Sequence, residues 1–407
     1  MAFMTSRKFT GIGQSATLGG NAAKSGAIPA RTLALISLTA LSTSLTVASL
    51  LGGNGDAALL ASWLCCMLCA SVMFITSKKI SHAIFKALGL ALTLSFFGYP
   101  MIPAIIFGGI ISVGALAALI CSAKGSRIFL IVSLPVVSYA LSFAVTADPL
   151  IALSALAVYL PAIPIGLTAR FKGTMTTSTV AGASVLSAMI AGLAALTVYG
   201  LYGEISAAVI DSIIEEFTAM TIAYTKESFA LVEGVEYTPA IEKALILGID
   251  TTVNILVGLV IALCTCASYC AVKLKNNLFS AYGVDEHLSE AATTLSVSIS
   301  AAAIFSLSFI LSFALDSANR SSLLAVICTN VCIILAPGLA LMGVRAIKAA
   351  PKRFGARGVL LSFALTLAIA ILFIASPLLL SLVGAIYIIL RAIDLWAKDF
   401  YGKGENQ

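Results

Sequence analysis

The sequence predicts an all-α polytopic transmembrane helix bundle of about 10–12 spans with both termini on the cytoplasmic side. Three observations carry that prediction. Of 407 residues, 60% are hydrophobic and only 10% charged, whereas a soluble globular domain carries about 25% charged residues. The mean hydropathy of +1.07 is concentrated rather than spread, because the apolar residues fall into blocks of about 20, enough for a helix to cross roughly 30 Å of hydrocarbon. Short clusters of Lys, Arg, Gly, Pro and Asp separate the blocks, and nearly all the basic residues share one side once the spans alternate.

Residues 1–30 form a polar tail with Arg7, Lys8 and Lys24 and no acidic residue, a composition expected to stay disordered in the cytoplasm. The first apolar block starts too late and runs too long for a cleaved signal peptide. Spans are predicted at 32–51, 57–76, 83–97, 101–121, 128–146, 150–168 and 176–201, which make a seven-span N-terminal bundle over 31–201. The third is short, ends at the tight Gly98-Tyr99-Pro100 turn, and reads as tilted or re-entrant.

Residues 202–243 read as an acidic extracytoplasmic segment, since eight Asp and Glu stand against Lys226 and Lys243. Within it Ile210, Ile213, Ile214, Phe217 and Met220 recur at helical spacing. The amphipathic helix is expected to pack over the bundle, because its acidic face suits anionic lipid poorly. Spans at 244–272, 291–315, 323–344, 359–376 and 378–393 make a five-span C-terminal bundle over 244–393, and 394–407 form a cytoplasmic tail. Pro377 marks either a boundary or a kink in one long helix.

Orientation follows from charge. Of 24 Lys and Arg, only Lys226, Lys243 and Arg320 fall outside when the N-terminus is inside, as expected when short cytoplasmic loops hold the cations. No basic stripe with interleaved aromatics appears, so nucleic acid is not an expected partner. The expected partners are the lipid bilayer of a cell membrane and membrane protein subunits.

Few groups could carry chemistry. Asp250 and Asn254 lie four apart, on one helix face, and read as a cation or polar-ligand site near the outer face or as an interfacial Asp held by water. Pro161 and Pro164 interrupt the 150–168 span, and Ala336-Pro337-Gly338 interrupts 323–344. Broken helices free backbone groups that can line a binding site. The candidate substrate-binding residues are therefore Asp250, Asn254, Pro161, Pro164 and Pro337. Mid-span Asn330 is expected to hydrogen-bond between helices.

All nine cysteines sit in or at the edge of apolar blocks, which gives a disulfide framework no place. Cys264-x-Cys266-x3-Cys270 reads as small apolar residues rather than metal ligands, with no histidine near. His82 and His287 are placed in cytoplasmic loops, and no HExxH, GxSxG, Walker A or paired intramembrane carboxylate occurs. No catalytic residue, metal or cofactor is therefore expected, and an enzyme is not the reading.

The order of features in the second half resembles a family. An acidic helix leads into the Asp250 span, followed by the basic Val272-Lys273-Leu274-Lys275 end, Tyr282-Gly283, the Pro337-Gly338-Leu339-Ala340 run, Gly384 and Asp394-Leu395-Trp396. This is similar to the YybS-like family of bacterial multi-pass membrane proteins. The chain departs from that pattern where Pro337, not Gln, precedes Gly338. The family's first half is in turn similar to the substrate-binding components of energy-coupling-factor transporters. The resemblance implies a membrane protein that binds or transports a small molecule with partner subunits. The alternative is a non-transporting scaffold for a membrane complex. Transport predicts a polar cavity lined by Asp250, Asn254 or the proline breaks; a scaffold predicts a filled bundle.

Overall fold

The computed structural model describes residues 29–75, 87–91, 93–95, 99–121, 126–231, 237–282, 295–318, 323–353, 364–365, 367–369 and 376–401. Among them every regular element is helical. The longer helices are α1 (Ala30–Leu51), α2 (Gly55–Ile75), α3 (Met101–Cys121), α4 (Ser126–Thr146), α5 (Pro149–Leu156), α6 (Ala162–Arg170), α7 (Met175–Tyr202), α8 (Ala207–Ala230), α9 (Pro239–Tyr282), α10 (Ile299–Ala318), α11 (Leu323–Arg353) and α12 (Pro377–Tyr401).

Seven of the described helices are long and apolar enough to cross a membrane: α1, α2, α3, α7, α9, α11 and α12. Ile131–Thr146 in α4 and Ile299–Leu315 in α10 are shorter apolar helices. That is the composition and architecture of a membrane protein. The predicted spans 83–97 and 359–376 lie largely outside the described residues, as do the N-terminal tail to residue 28, both histidines and Arg320.

One predicted span is not a continuous helix. Residues 150–168 are divided between α5, a 3-10 turn at Ala157–Tyr159, and α6. Pro161 precedes α6 as its cap and Pro164 falls in its first turn, where a missing N–H costs nothing because those donors have no intrahelical partner. The break turns Tyr159 into the core, where it is 4% exposed. Its hydroxyl donates to the Ala40 carbonyl at 2.9 Å, accepts from Ser44 Oγ at 2.9 Å and meets Ser138 Oγ at 2.7 Å.

α3 is the axis of the first half and packs on α1, α2, α6 and α9. The α1 face turned inward is unusually hydroxylated, with Thr39, Ser42, Thr43, Ser44, Thr46 and Ser49 all buried. Most of these hydroxyls return to their own helix: Thr39 donates to the Leu35 carbonyl, Thr43 to that of Thr39, and Thr46 to that of Ser42, each at 2.8 Å. A Ser or Thr that closes this local bond presents a nearly apolar surface to its neighbour.

α9 joins the two halves. It packs on α3 and α7 on one side and on α11 on the other. Its 44 residues extend about 66 Å, twice the hydrocarbon thickness. α11 and α12 form the tightest pair, with α10 laid across both. Gly343 and Gly384 face each other there, and a Cβ on Gly384 would fall on the Leu339 carbonyl oxygen. Ser381 Oγ donates to the Ala336 carbonyl at 2.9 Å, next to Pro337. α11 runs unbroken through Pro337 from Leu323 to Arg353, so this proline does not interrupt its span.

α8 departs from the expected packing over the bundle. It touches mainly α9, and none of its residues is buried. Phe217, Met220 and Tyr224 are exposed, as are most residues in the second half of α7.

Candidate functional site

The halves do not close completely on each other. Between α7 and α9 on one side and α10, α11 and α12 on the other lies a cavity of about 920 Å³. Its position follows from two sets of contacts, one toward each end of α11.

At one end, the Asn330 side chain of α11 enters the hydrogen-bond ladder of α9. Its Oδ1 accepts from the Gly258 N–H, while its Nδ2 donates to the Asn254 carbonyl at 2.7 Å and the Val326 carbonyl at 2.9 Å. Gly258 N and Asn254 O are the donor and acceptor of one helical turn, so the amide fits between them. Only glycine admits it, since a Cβ at 258 would lie 2.6 Å from Asn330 Oδ1. The expected interhelical role of Asn330 is therefore met. Its partner is the α9 backbone rather than another side chain.

At the other end, near Arg170, Lys273 and Arg345, the irregular segment 295–298 leads into α10. Thr176 Oγ1 donates to the Ser296 carbonyl at 2.8 Å and accepts from the Ser296 N–H at 3.1 Å. Arg345 donates to the Leu295 carbonyl at 2.6 Å. With the Thr176 and Ser296 hydroxyls also 3.3 Å apart, four hydrogen bonds hold this segment to α7 and α11. The basic side chains stay at the rim: Lys273 lies 5.8 Å from the Tyr269 ring centroid, and among the described residues no charged side chain lines the cavity.

The walls differ in chemistry. α7 contributes Thr176, Thr177, Thr179, Ser184 and Ser187, its N-cap Thr174 joins them, and α9 contributes Thr265, Cys266, Tyr269 and Cys270. Ile334, Leu335, Leu341 and Val344 of α11 and Leu380 of α12 form the aliphatic wall. Ser187 Oγ is buried without a hydrogen-bond partner, as is Ser268 Oγ one turn from the lining residues. Of the nine thiols, Cys266 and Cys270 are exposed and seven are buried. Among the described residues, no group of three or more His, Cys, Asp or Glu could hold a metal ion.

The five sequence candidates do not come together. Pro337 lines the cavity beside Gly338. Pro161 and Pro164 shape the break that places Tyr159 in the other half. Asp250 is exposed and lines neither this cavity nor the shallower apolar hollow of about 610 Å³ between α8 and α9. Asn254 contributes its carbonyl to the Asn330 bridge, and its side chain is exposed. The α7 hydroxyls were not singled out in the sequence. Ser and Thr are common in its membrane helices, and their shared face appears only when α10 and α11 dock. Cys266 and Cys270 were noticed, but as small apolar residues.

No family model, curated protein or solved structure matches the chain.

Proposed function

We propose that this chain is a multi-pass cell-membrane protein that binds a small molecule in the cavity between its halves and carries it across the bilayer. The basic end faces the cytoplasm, with both termini there. The carrying observation is an uncharged, partly hydroxylated cavity bounded along its axis by the Asn330–Gly258 bridge and the Thr176–Ser296 clamp. A filled bundle has no such space. Few polar groups in a mostly apolar pocket of this size are what a small-molecule site requires.

In this reading α10–α12 move against α7 and α9. Opening toward the cytoplasm breaks the Thr176–Ser296 bonds and the Arg345–Leu295 bond, while the Asn330 bridge holds as the pivot. The YybS-like resemblance belongs to the same proposal, and membrane partner subunits would supply the driving force. One observation favours an assembly role instead: α8 and the outer half of α7 present a large unburied surface.

Purification of the full chain, with mass spectrometry of co-purifying molecules and proteins, tests both readings. Ala183 lines the cavity at 5% exposure, and Ala183→Trp fills it. The wild type is expected to carry a small molecule that the variant has lost. Identical small-molecule content in the two proteins overturns the binding reading. Proteins retained by both with no ligand in either favour the scaffold.

A further inference from the structure

We infer that the basic ends of α3, α6 and α9 form a site for a phosphate group, held by Lys275 and Arg170. The site is separate from the cavity and does not depend on it.

Close helix approach builds it. A Cβ on Gly114 of α3 would lie 2.7 Å from the Ala271 carbonyl oxygen of α9, and one on Gly166 of α6 would lie 2.7 Å from Ile120 of α3. These glycines draw three helices together around Cys121, the last residue of α3, which is 4% exposed. The Lys275 ammonium of α9 and the Arg170 guanidinium of α6 both act electrostatically on its thiol, so the two cations converge on one spot. Lys275 is 2% exposed, and among the described residues it has neither a hydrogen bond nor an ion pair. α1, α3 and α6 carry no acidic residue. Asp250, the nearer of the two acids on α9, is about 37 Å along the helix. A cation so buried is strongly disfavoured without a counter-charge. The helices packed around it supply none, so the counter-charge comes from a bound anion.

Depth gives the class of that anion. α3 has 21 residues, about 32 Å of helix, which matches the hydrocarbon layer. Cys121 at its end therefore lies at the level of the headgroups, where phosphate is the anion on offer. Arg170 is exposed and presents a fork suited to phosphate oxygens, while Lys275 meets the same group from the protein side as a point charge. A phospholipid headgroup and a soluble phosphoester share this chemistry.

The full chain in a neutral detergent is titrated with dioleoyl phosphatidylglycerol, glycerol 3-phosphate, dioleoylglycerol or acetate, and the thermal midpoint is read. Phosphatidylglycerol, glycerol 3-phosphate or both are expected to raise it saturably. A rise with the lipid alone identifies a headgroup site, and a rise with glycerol 3-phosphate identifies a soluble phosphoester. Dioleoylglycerol lacks the phosphate and acetate controls for salt, so neither should act. Lys275→Met is expected to raise the half-saturating concentration about tenfold or more, the worth of one hydrogen bond to a charged group. Arg170→Gln changes an exposed position that folding does not need, and should raise it severalfold. Lys348→Gln, at the same end but on α11, should leave it unchanged. No rise with either phosphate overturns the site, because the ammonium is then answered from within the chain. So does a rise that acetate or dioleoylglycerol reproduces, or one that either Lys275→Met or Arg170→Gln leaves unaltered. None of these outcomes bears on ligand content in the cavity.

Discussion

The Asn330 amide shows how one side chain can tie two helices where water does not compete. It makes two bonds to the α9 backbone and one to its own helix. Asn330→Ala is expected to cost about 1–2 kcal/mol, the upper part of the range for interhelical bonds in membranes, read as a lower thermal midpoint in detergent. Gly258→Val should cost more, because its branched Cβ displaces the amide as well as losing its bonds. Tyr159→Phe is a second check: it strands Ser44 and Ser138 and leaves the Ala40 carbonyl without its donor, an expected loss of about 1–3 kcal/mol. By contrast, Lys226 and Glu242 pair at 3.0 Å with both side chains well exposed. The hydrogen bond to Glu242 holds the Lys226 ammonium above its ordinary range. That contribution is complete below the ordinary lysine value and disappears as pH rises through the elevated one, so it is fully present near neutral pH and should not make stability vary with pH there. The polar type of Asn330 and its mid-span place were legible in the sequence. Its partner was not, because a glycine N–H 72 residues away leaves no mark on local pattern.

At the scale of elements, apolar run length located α1, α2, α3, α4 and α7, and the starts of α11 and α12, to within a few residues. It failed where hydropathy and backbone geometry separate. The 150–168 run is apolar throughout but holds two prolines, and hydropathy registers neither the 3-10 turn nor the inward swing of Tyr159. The α8 periodicity was read correctly as helical, whereas its docking was not, since a helical stripe does not say what covers it. Phe217→Ala and Met220→Ala are therefore expected to change stability by less than about 0.5 kcal/mol, as exposed sites do; a larger fall in thermal midpoint would mean that α8 has a partner. The clamp makes a different prediction. Thr176→Val keeps the shape and removes every hydrogen bond from this hydroxyl to Ser296, so Cys270 should be alkylated faster by a reagent applied from the basic side.

For the whole molecule, the charge count and the fold meet at the basic end, where α6, α9 and α11 bring Arg170, Lys273, Lys275, Arg345 and Lys348 together. Lys226 lies on α8, beyond the opposite end of α7. In intact cells, cysteine placed at Lys226 should react with a membrane-impermeant maleimide and cysteine at Lys348 should not; the reverse pattern would invert the proposed orientation. Asp250→Asn is expected to leave ligand content unchanged, since Asp250 lies outside the cavity. The length of α9 has a mechanical consequence. Gly258 lies nineteen residues from its start at Pro239 and twenty-four from its end at Tyr282, arms of about 28 and 36 Å on either side of the Asn330 pivot. Such a rod is a nearly balanced beam. In the proposed orientation, a sideways pull on its outer arm, to which α8 is attached, would tilt the inner arm the opposite way by a similar distance, coupling α8 to the Thr176–Ser296 clamp without any change in the helix itself.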